Sequence, residues 1–327
     1  MIVYDIYNEY IPNYVQEIIQ TSLFQRLKDV GMNCGMEYTQ FEPFRNCKGV
    51  SRYNHSIGVA LITYHFTHDM HQTVAALLHD ISTPVFAHVI DFMYHDYTNQ
   101  EATEDLTEKI IRQDKELHSI FHHYHINIDK VVNYHDYPIA DNETPRLSAD
   151  RLEYTLSNAI YYGLMTKVKI KEIYNHLEVN HKKDEIIFND LEYAIIFTQL
   201  MLKCSQVYVG DENRYCMEFL ARLLKFAIGH HILLYDDLYT TESQVIEKLI
   251  QSDLTQAYFE QYTQLNKIMI SRKPQEGYWK VVSKKRYINS LVGRYRILDI
   301  CKDLHDEVQH YLDNDFDYFI KAIKEDK

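Results

Sequence analysis

Histidine and aspartate side chains that suit a metal ion occur at three separated points of the sequence. They are His55, the adjacent pair His79 and Asp80, and Asp150. Two imidazoles and two carboxylates leave two positions of an octahedron for water or substrate oxygens. Mn²⁺, Fe²⁺, Co²⁺, Ni²⁺ and Zn²⁺ all tolerate this ligand set, and Mg²⁺ is a further candidate. A closed structural zinc site usually includes cysteine, so we expect these four residues to bind one divalent cation that keeps room for substrate.

His88 and Asp91 follow the first ligands closely and are candidates for proton transfer. They are three residues apart on a predicted helix and share a face, so the carboxylate can orient the imidazole. A metal ion polarises a phosphoryl oxygen, but the leaving oxygen of a phosphate ester also needs a proton. His88 is the candidate general acid for that step. Arg52 and Arg151 are candidate clamps for phosphate oxygens.

Helical periodicity and breaker residues predict the elements that position these side chains. Helices are predicted at about 12–30, 53–70, 72–80, 84–94, 98–113, 115–124 and 128–134, from just after Pro145 to about 162, and at 190–207, 212–229, 242–250, 253–268 and 294–325. Apolar residues that alternate around a polar turn predict a small β-hairpin at 175–189. Adjacent helical residues diverge by about 100°, so His79 and Asp80 can share one ion only because a predicted helix ends at them.

The composition favours an all-α fold with that hairpin. Gly 9 and Pro 6 are few for 327 residues, and a shortage of breakers favours long helices. No repeat, linker or low-complexity tract divides the sequence. We predict a single domain over residues 1–327, with a metal core at about 20–165 and a C-terminal helical extension at about 190–327.

The formal charge of −13 argues against binding to duplex nucleic acid, which requires a basic surface. A small cationic pocket for a phosphorylated ligand stays compatible with this charge, because a few residues set the charge of a pocket. Five cysteines without a C-x-x-C pair indicate a reducing compartment. The sequence starts without a signal-peptide pattern, and no apolar run reaches the roughly 18 residues that span a bilayer. We therefore expect a cytoplasmic protein with no membrane partner.

Other histidines and basic residues have simpler interpretations. The chain has 18 histidines, and we expect most of the others, including His135, at the surface or in ordinary polar contacts. The cluster at residues 122–125 (HHYH) would bind a metal only adventitiously, because no partner acid is evident. The run Lys284-Lys285-Arg286 is more often a solvated face than a nucleotide site.

With these residues assembled, the chain resembles the HD-domain metal-dependent phosphohydrolase superfamily. Within it, the chain is more similar to the deoxynucleoside-triphosphate triphosphohydrolase branch. Three segments carry the resemblance, in the family's order and spacing: residues 52–59 (RYNHSIGV), 77–91 (LLHDISTPVFAHVID) and 150–154 (DRLEY). Weaker similarity extends the resemblance over about residues 3–300.

The resemblance implies an all-α body around a metal and hydrolysis of a phosphate ester or anhydride on a nucleotide. It implies metal binding by the same four residues, with His88 near the scissile phosphate and Asp91 as its orienting acid. Arg52 and Arg151 would contact phosphates, and Tyr154 would pack against the sugar. Because proteins of this branch commonly assemble, the resemblance also implies a homo-oligomer.

Three positions depart from the family pattern. Thr83 and Asn99 stand where triphosphohydrolases have further active-site histidines, and Asn158 stands where they have a sugar-contacting aspartate. Threonine and asparagine can hydrogen-bond to a ligand, so all three remain candidate substrate contacts. Neither residue type supplies a cation or a proton that titrates near neutral pH.

We therefore expect a metal-dependent hydrolase of a nucleotide, with a (deoxy)nucleoside triphosphate as the leading substrate. Two alternatives stay open at this point. One is a catalytically weakened protein that binds nucleotides for regulation. The other is hydrolysis of another phosphorylated small molecule, such as a nucleoside monophosphate or a cyclic nucleotide.

Overall fold

The computed structural model describes residues 3–97 and 106–325. Helices, with short 3₁₀ turns included, account for 55% of the described residues. The earlier helices are α1 (Asn13–Ile18), α2 (Ser22–Gln25), α3 (Arg52–Thr67), α4 (Met70–Leu78), α5 (Val89–Met93), α6 (Thr107–Gln113), α7 (Lys115–Tyr124), α8 (Ala149–Tyr161) and α9 (Lys167–Asn175). The later helices are α10 (Leu191–Tyr208), α11 (Asp211–Gly229), α12 (Glu242–Gln251), α13 (Gln256–Thr263), α14 (Ile297–Ile300) and α15 (Lys302–Asp313).

The strands form two small sheets. They are β1 (Leu177–Val179), β2 (Ile186–Phe188), β3 (Lys267–Ser271), β4 (Leu291–Val292), β5 (Tyr295–Arg296) and β6 (Phe319–Ile323). The first sheet has the order β1-β2-β4-β5, in which β2 is antiparallel to β1 and parallel to β4. The β1–β2 pair confirms the predicted hairpin. The second sheet pairs β3 with β6 in antiparallel register.

The predicted all-α fold is right for most of the chain but omits β3 to β6. The helix predicted at 294–325 is confirmed only in part, as α14 and α15, with β5 and β6 at its two ends. Gly293 has a φ of +59° and turns the chain between β4 and β5 at the start of that stretch. At its end, β6 alternates so that Ile320 and Ala322 are buried. Pairing with β3 satisfies the β6 backbone, which favours the two-residue period over the helical one. The last turn of the predicted helix at 253–268 is likewise replaced by the start of β3.

Two further predicted helices are interrupted where the chain changes direction. The helix predicted at 12–30 splits into α1 and α2, because the Thr21 hydroxyl accepts a backbone N–H of α2 at 3.3 Å and caps it. The helix predicted at 84–94 is reduced to α5. Phe86 and Ala87 have φ values of +57° and +47°, which lie outside the right-handed helical region.

Helix α3 lies at the centre of the part that carries the predicted metal ligands. Every residue from His55 to Thr63 is buried, and the helix packs against α4 and α8. This packing brings the start of α3, the end of α4 and the start of α8 together. Helix α11 packs against α5, and buried apolar side chains from Val3 to Ala322 form one contiguous core. Within residues 3–97 and 106–325, every helix is too short or too polar to cross a lipid bilayer.

Candidate metal centre and substrate cavity

The four predicted metal ligands lie at the ends of three packed helices. His55 is in the first turn of α3, His79 and Asp80 directly follow α4, and Asp150 is in the first turn of α8. Asp150 Oδ1 lies 3.0 Å from His55 Nε2 and 3.7 Å from His79 Nε2. Asp80 Oδ2 lies 3.4 Å from His79 Nε2 and 3.7 Å from His55 Nε2. Donor atoms of His55, His79 and Asp80 therefore all lie within 4.8 Å of one another, and the Asp150 carboxylate lies beside both imidazoles.

Each imidazole is oriented through its other nitrogen. His55 Nδ1 donates to Glu153 Oε2 at 2.5 Å, and His79 Nδ1 donates to the Ala76 carbonyl at 2.8 Å. A hydrogen bond at Nδ1 holds the ring in place and keeps Nε2 available as a ligand. The donor set therefore fits a divalent cation, which would accept both Nε2 lone pairs between two carboxylates.

Glu153 contacts the predicted metal ligand His55, and the sequence analysis assigned it no role. Its side chain is buried and also accepts hydrogen bonds from the Ser157 hydroxyl at 3.2 Å and the Tyr7 hydroxyl at 3.4 Å. Gly58 of α3 makes room for it, because a Cβ at that position would lie 2.6 Å from Glu153 Cγ. The available signal was spacing, since Glu153 is three residues after Asp150 and shares its helix face.

Asp80 is held by two neighbours. Arg52 Nη1 donates to both of its oxygens at 2.6 and 2.7 Å, and the Thr83 hydroxyl donates to Oδ1 at 2.8 Å. Arg52 lines the cavity described below, but its guanidinium is paired with Asp80. Thr83 is completely buried and is outside the set of described residues that line the cavity. The structure therefore places Thr83 to orient a predicted metal ligand, and its contact with substrate stays a prediction.

The charges around this point favour a cation. Burial lowers the pKa of His55, but its hydrogen bonds to Asp150 and Glu153 outweigh burial and raise that pKa to about 10. Burial raises the pKa of Asp80, but Arg52 and the two histidines lower it well below its usual range. Burial also raises the pKa of Asp150, and the hydrogen bond to His55 lowers it on balance to about 2. Both carboxylates are therefore ionised at neutral pH, and a metal ion would bind there by displacing the proton from Nε2 of His55.

A cavity of about 670 Å³ opens beside the four ligands. Its wall includes Lys284, Lys285 and Arg286. The run is partly buried, so it belongs to a cavity wall and not to a fully exposed face, and its contact with a nucleotide stays a prediction. The run is far from Asp150 in the sequence, and no local pattern shows that the two meet across one cavity. Three cations thus lie where the oxygens of a phosphorylated ligand would be attracted.

The expected pairing of His88 with Asp91 is present at the cavity. His88 Nδ1 lies 3.0 Å from Asp91 Oδ2, and His88 Nε2 lies 3.5 Å from Arg286 Nη2. Burial lowers the pKa of His88, Asp91 opposes this shift, and Arg286 and Arg52 add to it. The imidazole is therefore neutral at neutral pH while no anion is bound.

Arg151 also lines the cavity, but protein acceptors surround its guanidinium. Its Nη1 donates to Asn142 Oδ1 at 2.7 Å, and its Nη2 lies 3.2 Å from Asp141 Oδ1. Asp141 in turn lies 2.9 Å from Nδ1 of His135. His135, expected at the surface, is half exposed and lines the same cavity. A second histidine–aspartate pair is therefore present at this cavity, and sequence reasoning missed it.

Tyr154 and Asn158 extend the cavity away from the metal centre. They follow Asp150 at intervals of four residues on α8, so they lie about 6 and 12 Å further along that helix. Both line the cavity, as their predicted roles as substrate contacts require. The remaining predicted contact, Asn99, lies outside the described residues.

Comparisons with known proteins identify the domain that carries these residues. Residues 52–157 match the family model of the HD domain, a range that includes all four predicted metal ligands. The chain is 29% identical over 247 residues to the uncharacterized protein YdhJ of Bacillus subtilis, across 73% of this chain and 72% of that protein. It is 24% identical over 200 residues to the metal-dependent phosphohydrolase cns2 of Cordyceps militaris, across 56% of this chain and 52% of that protein.

A third relative is the uncharacterized protein YwfO of Bacillus subtilis, 23% identical over 247 residues, across 66% of this chain and 53% of that protein. The chain thus spans about half the length of the cns2 and YwfO proteins. Among solved structures, a hypothetical protein from Aquifex aeolicus has a TM-score of 0.63 and 17% identity, with 96% of this chain and 93% of that chain covered. A phosphohydrolase from Bacteroides thetaiotaomicron has a TM-score of 0.60 and 13% identity, with 95% of each chain covered. At these identities the structural similarity establishes the fold alone.

Proposed function

We propose that this chain, which carries an HD domain at residues 52–157, is a metal-dependent phosphohydrolase that acts on a nucleotide. A (deoxy)nucleoside triphosphate is its leading substrate. The observation that carries the proposal is the convergence of four metal-binding side chains at one end of a cavity of about 670 Å³, a size typical of sites for small molecules. Similarity to a protein named as a metal-dependent phosphohydrolase supports the same class of reaction.

His55, His79, Asp80 and Asp150 would hold one divalent ion. Such an ion polarises a phosphoryl oxygen and lowers the pKa of the water that it binds. The protein contributes orientation, because Glu153 and the hydrogen bonds to Asp80 fix the donor atoms before a substrate arrives. Pre-oriented donors avoid a reorganisation cost during the reaction.

The positive side chains on the cavity wall support a substrate with several negative charges. Lys284, Lys285 and Arg286 line the wall. The charges of Arg52 and Arg151 are already paired with protein carboxylates. The chain as a whole has a formal charge of −13, so this wall is a local reversal of sign. A triphosphate gains more than a monophosphate from several cations around one cavity.

We assign His88 as the general acid that donates a proton to the leaving oxygen. Asp91 holds its Nδ1, and Nε2 lies beside Arg286 at the cavity wall. An anionic phosphate near the ring favours the imidazolium and raises the pKa of His88 from its lowered value. Substrate binding therefore favours protonation of His88, which then donates this proton to the leaving oxygen.

A second candidate function is nucleotide binding without hydrolysis. It is favoured by Thr83, whose buried hydroxyl is committed to Asp80 and supplies no titrating proton to a substrate. It is also favoured by Arg52, whose guanidinium is paired with the same carboxylate. This function requires saturable binding of a nucleotide with no turnover.

A nucleotide panel assayed with Mn²⁺, Fe²⁺, Co²⁺, Ni²⁺, Zn²⁺ and Mg²⁺ separates the two functions. Chromatography of the products as triphosphate, free phosphate or linear nucleotide identifies the bond that breaks. A phosphohydrolase turns over at least one nucleotide, and His79→Ala combined with Asp80→Ala abolishes that turnover. The control His118→Ala changes an exposed histidine of α7 and leaves turnover unchanged. Binding without turnover favours the second function. If no nucleotide binds and none is hydrolysed, both proposed functions are contradicted.

A further inference from the structure

The turn that leads into His88 has an unusual backbone. Phe86 and Ala87 have φ values of +57° and +47°, and both residues are completely buried. Residues other than glycine rarely adopt this left-handed conformation, and they keep it only where their surroundings hold it. His88 follows directly and contacts Asp91 through Nδ1 at 3.0 Å. The contacts that hold the turn therefore also determine where the His88 imidazole points.

Glu242 holds this turn from outside the matched HD domain. Its side chain is buried, and its Oε1 accepts the Phe86 backbone N–H at 3.2 Å. The same oxygen accepts the Gly31 N–H at 2.8 Å, and Oε2 accepts the Tyr38 hydroxyl at 2.7 Å. The Tyr38 ring packs edge-on against the ring of Phe86, with 6.2 Å between the ring centres. One carboxyl group thus ties the turn to two residues of the segment before α3.

The chain just before Glu242 contacts the same loop. The Leu238 carbonyl accepts the Val85 N–H at 2.7 Å. Arg26 donates to the Thr240 carbonyl at 3.1 Å and to two carbonyls of the loop between α4 and α5 at 2.9 Å. Backbone and side-chain hydrogen bonds therefore fasten this loop to residues 238–242.

From these contacts we propose that Glu242 is a positioning residue for His88. It is outside the set of described residues that line the cavity, so it acts through the backbone of Phe86 and Ala87. Its carboxyl group holds the left-handed turn, and the turn keeps Nδ1 of His88 on Asp91 with Nε2 at the cavity wall. The inference rests on the proposed function in taking His88 to be a proton donor. It adds that a residue of the C-terminal extension determines the orientation of that donor.

Nitrogen-15 NMR of the histidine rings in the full chain tests this inference without a substrate. At about pH 8, where an imidazole of lowered pKa is neutral, His88 should be the Nδ1–H tautomer, because Nδ1 donates to Asp91. Free histidine favours the Nε2–H tautomer. Glu242→Ala should shift His88 towards that tautomer and leave the signals of His55 and His79 unchanged, and His88→Gln identifies the His88 signals.

Two further variants separate the hydrogen bond from the mere presence of a large side chain. Glu242→Gln retains an oxygen for the Phe86 N–H and should keep the Nδ1–H tautomer of His88. The control Glu247→Ala removes an exposed carboxylate from the same helix and should also keep it. In turnover, Glu242→Ala should lower kcat by about tenfold or more with a smaller change in KM, because the proton donor is misplaced. Glu242→Gln should retain most of kcat.

An unchanged His88 tautomer in Glu242→Ala would overturn the inference. A joint shift of His55, His79 and His88 would also overturn it, because that result indicates a general loss of structure. Where Glu242→Ala fails to fold, Glu242→Asp withdraws the carboxylate by one methylene group, with the same expected shift of His88 and the same contradicting result. A shift of His88 alone, in a protein that hydrolyses no nucleotide, would support the positioning and count against the proposed hydrolysis alone.

Discussion

The two ends of the cavity differ in whether their buried polar atoms have hydrogen-bond partners. At the metal end, His55, His79 and Asp80 each have a buried hydrogen-bond partner besides the other predicted ligands. At the other end, three residues that line the cavity each have a buried amide atom with no hydrogen-bond partner among the described residues: Asn33, Asn158 and Asn213. The metal end is therefore pre-oriented for a cation, whereas buried amide atoms at the other end lack hydrogen-bond partners among the described residues. Substitutions at the two ends should differ accordingly in their effects on stability and on binding.

The largest effect is expected for Asp80→Ala at the metal end. The substitution removes a predicted metal ligand and leaves the Arg52 guanidinium buried without its carboxylate. An unpaired buried charge costs about 3–5 kcal/mol, so the free energy of unfolding should fall by about that amount. Urea denaturation of metal-free protein measures this loss apart from the loss of the metal ion.

Two controls sharpen that result. Asp184→Ala breaks the more exposed pair with Arg146 and should cost less than about 1 kcal/mol. Asn158→Leu removes an unpartnered acceptor together with the hydrogen bond from Asn158 Nδ2 to the Tyr208 hydroxyl, and should lower the free energy of unfolding by about 1 kcal/mol. If Asn158→Leu destabilised the metal-free protein as much as Asp80→Ala, the contrast between the two ends would be wrong.

Glu153→Ala should have the next largest effect, on metal affinity. It removes the carboxylate that holds Nδ1 of His55, and loss of such an outer partner typically lowers metal affinity by about 10–100-fold. Competition with a fluorescent chelator measures the change. Glu153→Gln retains an acceptor for the imidazole and should lose less affinity. Equal losses in the two variants would show that the hydrogen bond does not matter.

Gly58→Ala should reproduce a smaller part of the same defect. The added Cβ would lie 2.6 Å from Glu153 Cγ, so Glu153 must move away from His55. Metal affinity should fall by up to about tenfold. The control Gly229→Ala adds a Cβ with no neighbour within 4 Å and should leave metal affinity unchanged. A Gly58→Ala protein with normal metal affinity would contradict this account of the close packing between α3 and α8.

The smallest effect is expected in the pH dependence of stability. Burial lowers the pKa of His88 in the folded protein, so near and below the unfolded value of about 6.5 the unfolded chain binds more protons. The stability associated with neutral His88 is present above that pH and is lost as the pH falls toward the folded pKa. His88→Gln should therefore flatten the decline in the free energy of unfolding below about pH 6.5, relative to His118→Gln. An identical decline in both variants would refute the shift.

The metal end was accessible to sequence reasoning because its residues sit in helices with clear apolar periodicity and at clear helix ends. The helix end expected at His79 and Asp80 lies two residues after the end of α4 at Leu78. Glu153 received no role, because its contact with His55 exists only once α8 packs beside Gly58. That proximity depends on a small residue in another helix and has no local signature.

The other end of the cavity and its cationic wall were harder to predict from the sequence. Arg286 is 198 residues from His88 in sequence but lies beside it in the structure, and a basic run alone indicates a solvated surface. Strand β6 was missed because its partner β3 lies some 50 residues earlier in the chain. In addition, an alternating pattern of only five residues is hard to distinguish from part of a longer helical pattern. Tertiary contacts determine both features.

The central claim is that His55, His79, Asp80 and Asp150 bind one ion that remains open to the cavity. A crystal of the full chain grown with Mn²⁺ tests it directly through the anomalous scattering of the metal. One peak per chain, bonded to these four side chains with at least one position facing the cavity, is the predicted result. A peak at other residues, or an ion enclosed on every side by protein atoms, would contradict the account.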